Sequence, residues 1–236
     1  MTYPVTLYAD REPAPGRWLW LVKWLLLIPH YLVLAVLWLA VVVVTLVAYL
    51  VVLFTGRYPA GIYNFNVGVL RWSWRVGYYG YQVLGTDRYP PFALADVPGY
   101  PAGLRADGPQ PVARWRPLVA WLLAIPHMAI VAALTGGWRL YDDADTTVYI
   151  SGGLVGVAVL IMGVALLFTG RYPRGLYDLL LGVARWLFRT IAYVVLLLDA
   201  YPPFRLDQGG REPDHAPRGP DVAPTEAGRP GEAALT

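Results

Sequence analysis

The sequence predicts an all-α integral membrane protein: two pseudo-symmetric repeats of transmembrane helices, each with an Arg/Trp amphipathic helix, plus a small cytoplasmic β element. Three observations lead there. Of the 236 residues 57% are apolar and only 15% charged, too apolar a balance for an ordinary soluble domain. Several stretches long enough to cross a bilayer carry no charge. The chain also repeats itself in tandem. Cysteine is absent, which removes disulfides, thiolate nucleophiles and sulfur-built zinc sites.

The elements follow in order. Residues 4–10 alternate and predict a short strand. The apolar stretch starts only near Trp18 and no small-residue cleavage site follows a short apolar core, so the N-terminus is expected to be retained. Residues 24–54 form an uncharged run of 31, against the roughly 20 that one helix needs. They are either one long kinked helix or a hairpin. Residues 62–84 and 176–198 are helical in pattern and carry polar stripes, Asn64, Gly68, Arg71, Arg75 and Gln82 in the first, Asp178, Gly182, Arg185, Arg189 and Tyr193 in the second. An Arg at mid-bilayer costs about 2.5–3.5 kcal/mol. Lying flat, with Arg toward phosphates and Trp72, Trp74, Trp186 and Phe188 toward the acyl boundary, avoids that cost; the alternative is a tilted span with its arginines inside a bundle. Residues 92–96 and 103–107 flank a Pro98-Gly99 turn, as in a hairpin, and with strands near the N-terminus and at 204–207 they predict a small cytoplasmic sheet. Residues 117–138 and 146–170 are further uncharged runs, separated by a polar loop holding Asp142, Asp143 and Asp145. Residues 209–236 contain ten Gly or Pro and no apolar periodicity, and are expected to be disordered.

Self-alignment divides the chain into a first membrane repeat, 1–97, a second, 98–208, and the tail. KWLLLIPH at 23–30 matches AWLLAIPH at 120–127, and LFTGRYP at 53–59 returns unchanged at 167–173. Arg71-Trp72 returns as Arg185-Trp186, YPPF at 89–92 returns at 201–204, and residues 3–10 echo in 100–107. The offset grows from 97 to 114, so the second copy carries about 17 extra residues, an inserted acidic loop at about 136–152 that maps near Leu37 and Trp38. Insertions survive best at exposed turns, which favours a hairpin in each copy with its apex there. Against it, residues 34–45 hold no Gly or Pro, and arms of about 15 residues are short for spans. With both hairpins ending in the cytoplasm every cation except Arg139 falls inside and the three aspartates outside. A conventional pair of spans per copy turns Arg57, Arg171 and Arg174 outward. Both schemes place N- and C-termini in the cytoplasm, and the span count ranges from three to six.

The IPH, LFTGRYP, RW and DRYPPF segments, in one order and in two copies, resemble the bacterial membrane family catalogued as domain of unknown function 4389, over residues 3–208. The resemblance implies a multi-pass membrane protein with a repeated domain and no assigned activity; the expected location is the bacterial inner membrane. The second copy departs at Ala200, which stands where the first has Arg88, so any role of Arg88 is not shared.

The chemistry-bearing residues are few. Pro29-His30 and Pro126-His127 form a symmetric pair that reads as helix kinks with hydrogen-bonded imidazoles, or as metal or haem ligands. No Cys or Met stands to complete a ligand set, so neither metal nor cofactor is expected. Arg57 and Arg171 lie in TGRYP segments, which either stop a helix or hold a phosphate on backbone amides. Arg71, Arg75, Arg185 and Arg189 are candidate contacts for anionic lipid headgroups or a protein partner. Glu occurs only at 12, 212, 226 and 232 and Ser only at 73 and 151; no P-loop, HExxH or Ser-His-Asp grouping exists. A net charge of +3 with mixed signs excludes a nucleic-acid face. The expected function is therefore non-enzymatic, a scaffold or accessory subunit whose partners are the lipid bilayer and another membrane protein. The alternatives are a small transporter or channel, with a polar cavity lined by Thr45, Tyr49, His30 and their counterparts, and a lipid-handling protein with an Arg-lined groove.

Overall fold

The computed structural model describes residues 5–11, 15–136, 138–141, 147–150, 153–204 and 206–207. The expected disordered tail, 209–236, and the acidic residues Asp142, Asp143 and Asp145 lie outside the described residues. Among them the chain is mainly helical, with two short antiparallel strand pairs.

Strand β1, Val5–Ala9, leads through a 3₁₀ turn, Leu19–Leu21, into helix α1, Lys23–Thr55. This helix is continuous for 33 residues, about 50 Å at 1.5 Å per residue, so the hairpin expected in the first copy is not formed. Nothing between Pro29 and Gly56 interrupts helical geometry; the stop is Gly56, whose φ of 69° is the left-handed cap that a glycine adopts without strain. Helix α2, Ala60–Tyr79, starts behind Pro59. Strand β2, Ala102–Ala106, pairs with β1 in the register Leu7↔Leu104. The expected hairpin of residues 92–96 with 103–107 is therefore corrected: the carbonyls of Ala93 and Ala95 go to Arg75 instead.

In the second copy the helix is split into α3, Arg116–Thr135, and α4, Gly153–Thr169. Between them lie β3, Trp138–Tyr141, and β4, Thr147–Ile150, an antiparallel pair where the sequence reading had a loop. The start of α4 abuts the end of α3, since a Cβ on Gly153 would collide with the carbonyl oxygens of Leu134 and Gly136. Helix α5, Arg174–Val194, closes the order.

The packing is layered. One stripe of α1 is buried (Leu27, His30, Leu34, Val41, Thr45, Ala48, Val52) and the opposite face (Leu25, Leu32, Val36, Leu39, Leu46, Leu50) is exposed. Helix α2 meets α1 through Asn66, Trp72 and Ser73. At 100° per residue Arg71, Trp74 and Arg75 fall on its opposite side, where they bond Leu104, Tyr8, Ala93 and Ala95 of the sheet and loop. So α2 is sandwiched, and α5 is buried to a similar degree. Trp72, Trp74, Trp186 and Phe188, expected to face acyl chains, are buried, and Trp74 packs edge-on against Phe188 at 5.4 Å.

Leu39 is 67% exposed in mid-α1. Leu39→Pro is expected to destabilise by about 3 kcal/mol or more, as inside any helix, and Leu39→Ala by less than about 0.5 kcal/mol. Thermal melting of the purified protein checks this, and a tolerated proline contradicts the continuous helix.

Candidate functional site

Three of the repeated motifs converge on one cluster in each copy. Trp72 Nε1–H donates to His30 Nδ1 at 3.1 Å, and Trp186 Nε1–H to His127 Nδ1 at 2.8 Å. Phe92 stacks on His30 with ring centroids 4.0 Å apart and planes at 14°, and Phe204 on His127 has the same two values. Tyr89 and Tyr201 each lie 4.9 Å from their imidazole, and their hydroxyls donate to the carbonyls of Leu26 and Leu123, three residues before Pro29 and Pro126. Both histidines are fully buried. An indole nitrogen only donates, so Nδ1 is the acceptor and the proton of the neutral ring sits on Nε2. With one nitrogen accepting and the other protonated, neither lone pair is left for a metal. The cluster locks helix, Arg-Trp helix and YPPF turn together.

The arginine stripes hold the segment that follows each Arg-Trp helix. Arg75, 1% exposed, donates from Nη1 to Ala95 O at 3.0 Å and from Nη2 to Ala93 O. Its burial pulls its pKa below the usual guanidinium value. Arg71 Nε donates to Leu104 O at 2.8 Å. Arg185 Nη1 donates to Asp207 O at 3.0 Å, and Arg189 pairs with the Asp207 carboxylate. Gly68 and Gly182 make room for the same segments: a Cβ would stand 2.9 Å from Leu94 Cβ in one copy and 3.1 Å from Leu206 Cβ in the other. Arg75, Arg185 and Arg189 thus point into the protein, while Arg57 and Arg171 are exposed.

Sequence reasoning missed an ion pair in each copy, in which a buried cation meets a more exposed aspartate. Lys23 Nζ lies 2.9 Å from Asp87 Oδ1, donates to Thr86 O at 2.7 Å and stands 4.5 Å from the Tyr79 ring. Arg116 pairs with Asp199, donates to Leu198 O at 2.9 Å and stands 4.6 Å from the Tyr193 ring. Burial, with Asp87 second, pushes Tyr79 up to about 12. The alignment sets Lys23 against Ala120, so the cation of the second copy comes from one helical turn earlier and its longer side chain covers the difference. The readable signal was an Asp two residues before each YPPF.

The TGRYP segments stitch the copies together. Tyr58 OH donates to Val195 O at 2.9 Å, and Tyr172 OH to Val83 O at 2.8 Å. Burial raises the pKa of both tyrosines. Asn66 Nδ2 donates to Thr45 Oγ1 and to Tyr58 OH at 3.1 and 3.0 Å. The amides of Arg57 and Arg171 are taken by Thr55 and Thr169 hydroxyls, each at 3.1 Å, so they do not present a free phosphate cradle. Arg114 lies over Gly56 and Arg17 over Gly170, each from the other copy. A cavity of about 550 Å³ opens among α1, α3 and α5. Thr45 and Tyr49 line it, but Asn66 and Val194 already engage their hydroxyls and His30 is not in its wall. The polar cavity expected for a transporter is not what these residues build.

A family model described as a domain of unknown function (DUF4389) matches residues 17–93 and 147–205, two segments consistent with a tandem duplicate. The chain belongs to this family. No curated protein and no solved structure matches it.

Trp72→Phe strips a buried acceptor of its donor and is expected to cost about 1–3 kcal/mol, read by thermal melting. Histidine nitrogen-15 spectra should show His30 and His127 neutral and protonated at Nε2; a proton at Nδ1 contradicts the cluster. Lys23→Ala is expected to cost about 2 kcal/mol, below the 3–5 kcal/mol of a fully buried pair because Asp87 keeps some solvent. Adding Leu19→Arg, which copies the placement of Arg116, should restore most of the lost stability.

Proposed function

We propose that this member of the family is a non-enzymatic protein of the bacterial inner membrane that works by contact, as a scaffold or accessory subunit of a membrane complex. One observation carries the reading: the imidazole Nδ1 atoms, the guanidinium groups of Arg75 and Arg185 and the hydroxyls of Tyr58 and Tyr172 are spent on the chain's own atoms, while the outward residues of α1, α3 and α4 are apolar. A site for chemistry needs reactive groups turned toward a substrate; a contact surface needs apolar area.

Two helices, α1 and α3, are long and apolar enough to cross a membrane, and α4 is shorter but equally apolar. The exposed arginines 17, 57, 114, 171 and 174 stand at or beside the ends of these helices. Their basic character suits a cytoplasmic face, with N- and C-termini on that side. The anionic headgroups are then natural partners for Arg57 and Arg171. The apolar lining of the cavity favours lipid handling over solute transport as the second reading.

Gentle extraction of the tagged protein followed by native mass spectrometry tests this. A stoichiometric protein partner is the expected result. Recovery of the protein alone with one lipid enriched overturns the accessory-subunit reading and promotes lipid handling.

A further inference from the structure

We infer that α1, α3 and α4 lie in the plane of the membrane and embed the protein in one leaflet, so that the chain enters the bilayer from one side without crossing it. The inference rests on the membrane reading above and departs from the multi-pass expectation.

The first observation is the one-sidedness of the apolar surface. Along α1 the exposed residues Leu25, Leu32, Leu39, Leu46 and Phe54 follow one face over the full length of the helix. Helices α1 and α3–α4 run side by side in opposite directions: Arg114, just before α3, lies over Gly56 at the end of α1, and Trp20, just before α1, lies against Gly163 near the end of α4. Together they make one apolar layer.

The second observation is what lies behind that layer. The chain from Ala93 to Val112 runs along the far side of α2, touching Arg75 at Ala93 and Ala95, Arg71 at Leu104, and Gly56 at Val112. Asp96, Arg105 and Asp107 on this stretch are exposed. A bilayer normal along α1 would set these charges at hydrocarbon depth, where a charged side chain costs about 2.5–3.5 kcal/mol or more. A normal perpendicular to α1 leaves them in water and sinks only the apolar layer, to the roughly 5–10 Å depth of an interfacial helix.

The third observation is the rim. At one end of the layer Arg17, Trp18, Phe168 and Arg171 are exposed together with Arg174; at the other, Phe54, Arg57, Arg114 and Trp115. Arg and Trp at both ends of α1 match headgroups of a single leaflet, with an attraction of about 1 kcal/mol per cation at an anionic surface.

The chain has no cysteine, so Trp18→Cys and Arg57→Cys, both at exposed positions flanking α1, test the inference with an impermeant maleimide. Inside-out vesicles and right-side-out cells are labelled separately, and a nitroxide at Leu39→Cys reports depth. The expected result is labelling of both end positions in inside-out vesicles only, with the Leu39 nitroxide at the same shallow depth as one at Leu25→Cys. Labelling of the two ends from opposite sides overturns the inference and leaves the membrane reading standing. A nitroxide at Leu39 with no lipid contact overturns both. Trp18→Cys and Arg57→Cys change no buried contact, and an unchanged melting curve verifies the fold of each variant.

Discussion

The interaction on which the rest depends is the hydrogen bond that the buried imidazole Nδ1 beside each proline-containing apolar helix accepts from inside the chain. Each copy makes it in the same way. The indole N–H of Trp72 or Trp186 donates to Nδ1 of His30 or His127, at 3.1 and 2.8 Å, while Nε2 of each ring stays buried without a partner among the described residues. Losing such a partner costs about 1–3 kcal/mol, more than making the bond returns. The proline-containing helix, the Arg-Trp helix and the Tyr-Pro-Pro-Phe turn are therefore fixed relative to one another by a single ring. The buried guanidinium groups extend the principle: Arg75 and Arg185 have no solvent, so backbone carbonyls of the following segment take their charge. That segment is drawn over α2, and β2 with it.

Much of this was legible. The tandem copies, the Arg-Trp helices and the strand at the N-terminus follow from spacing alone. The hairpin did not form because residues 34–45 offer no Gly or Pro, and a helix that loses no hydrogen bond has no reason to turn. The insertion became a strand pair because Trp138–Tyr141 and Thr147–Ile150 are rich in aromatic and β-branched residues, a cue outweighed by the acidic run between them. The partner of β2 was misassigned because pairing with β1 spans about a hundred residues, and sequence proximity favoured the local hairpin. The ion pairs at Lys23 and Arg116 escaped notice because the equivalent cations stand one turn apart, which alignment by position hides and helix geometry repairs.

The burial of the motifs inverts their first meaning. A stripe of arginines beside tryptophans reads as a membrane anchor, yet three of the four guanidinium groups face inward, and the exposed surface is made by aliphatic side chains instead. Leu25, Leu39 and Leu46 on α1 and Leu122, Ile125 and Met128 on α3 form a continuous apolar face. Tyr58 and Tyr172 reach from each copy into the other and tie the two copies together.

The orientation of α1 tests the account most directly. Nitrogen-15 solid-state NMR of the selectively labelled protein in mechanically aligned bilayers reads the angle between the α1 amides and the membrane normal. The account predicts α1 parallel to the bilayer surface. An axis about 20° from the normal, the average tilt of spanning helices, would contradict it.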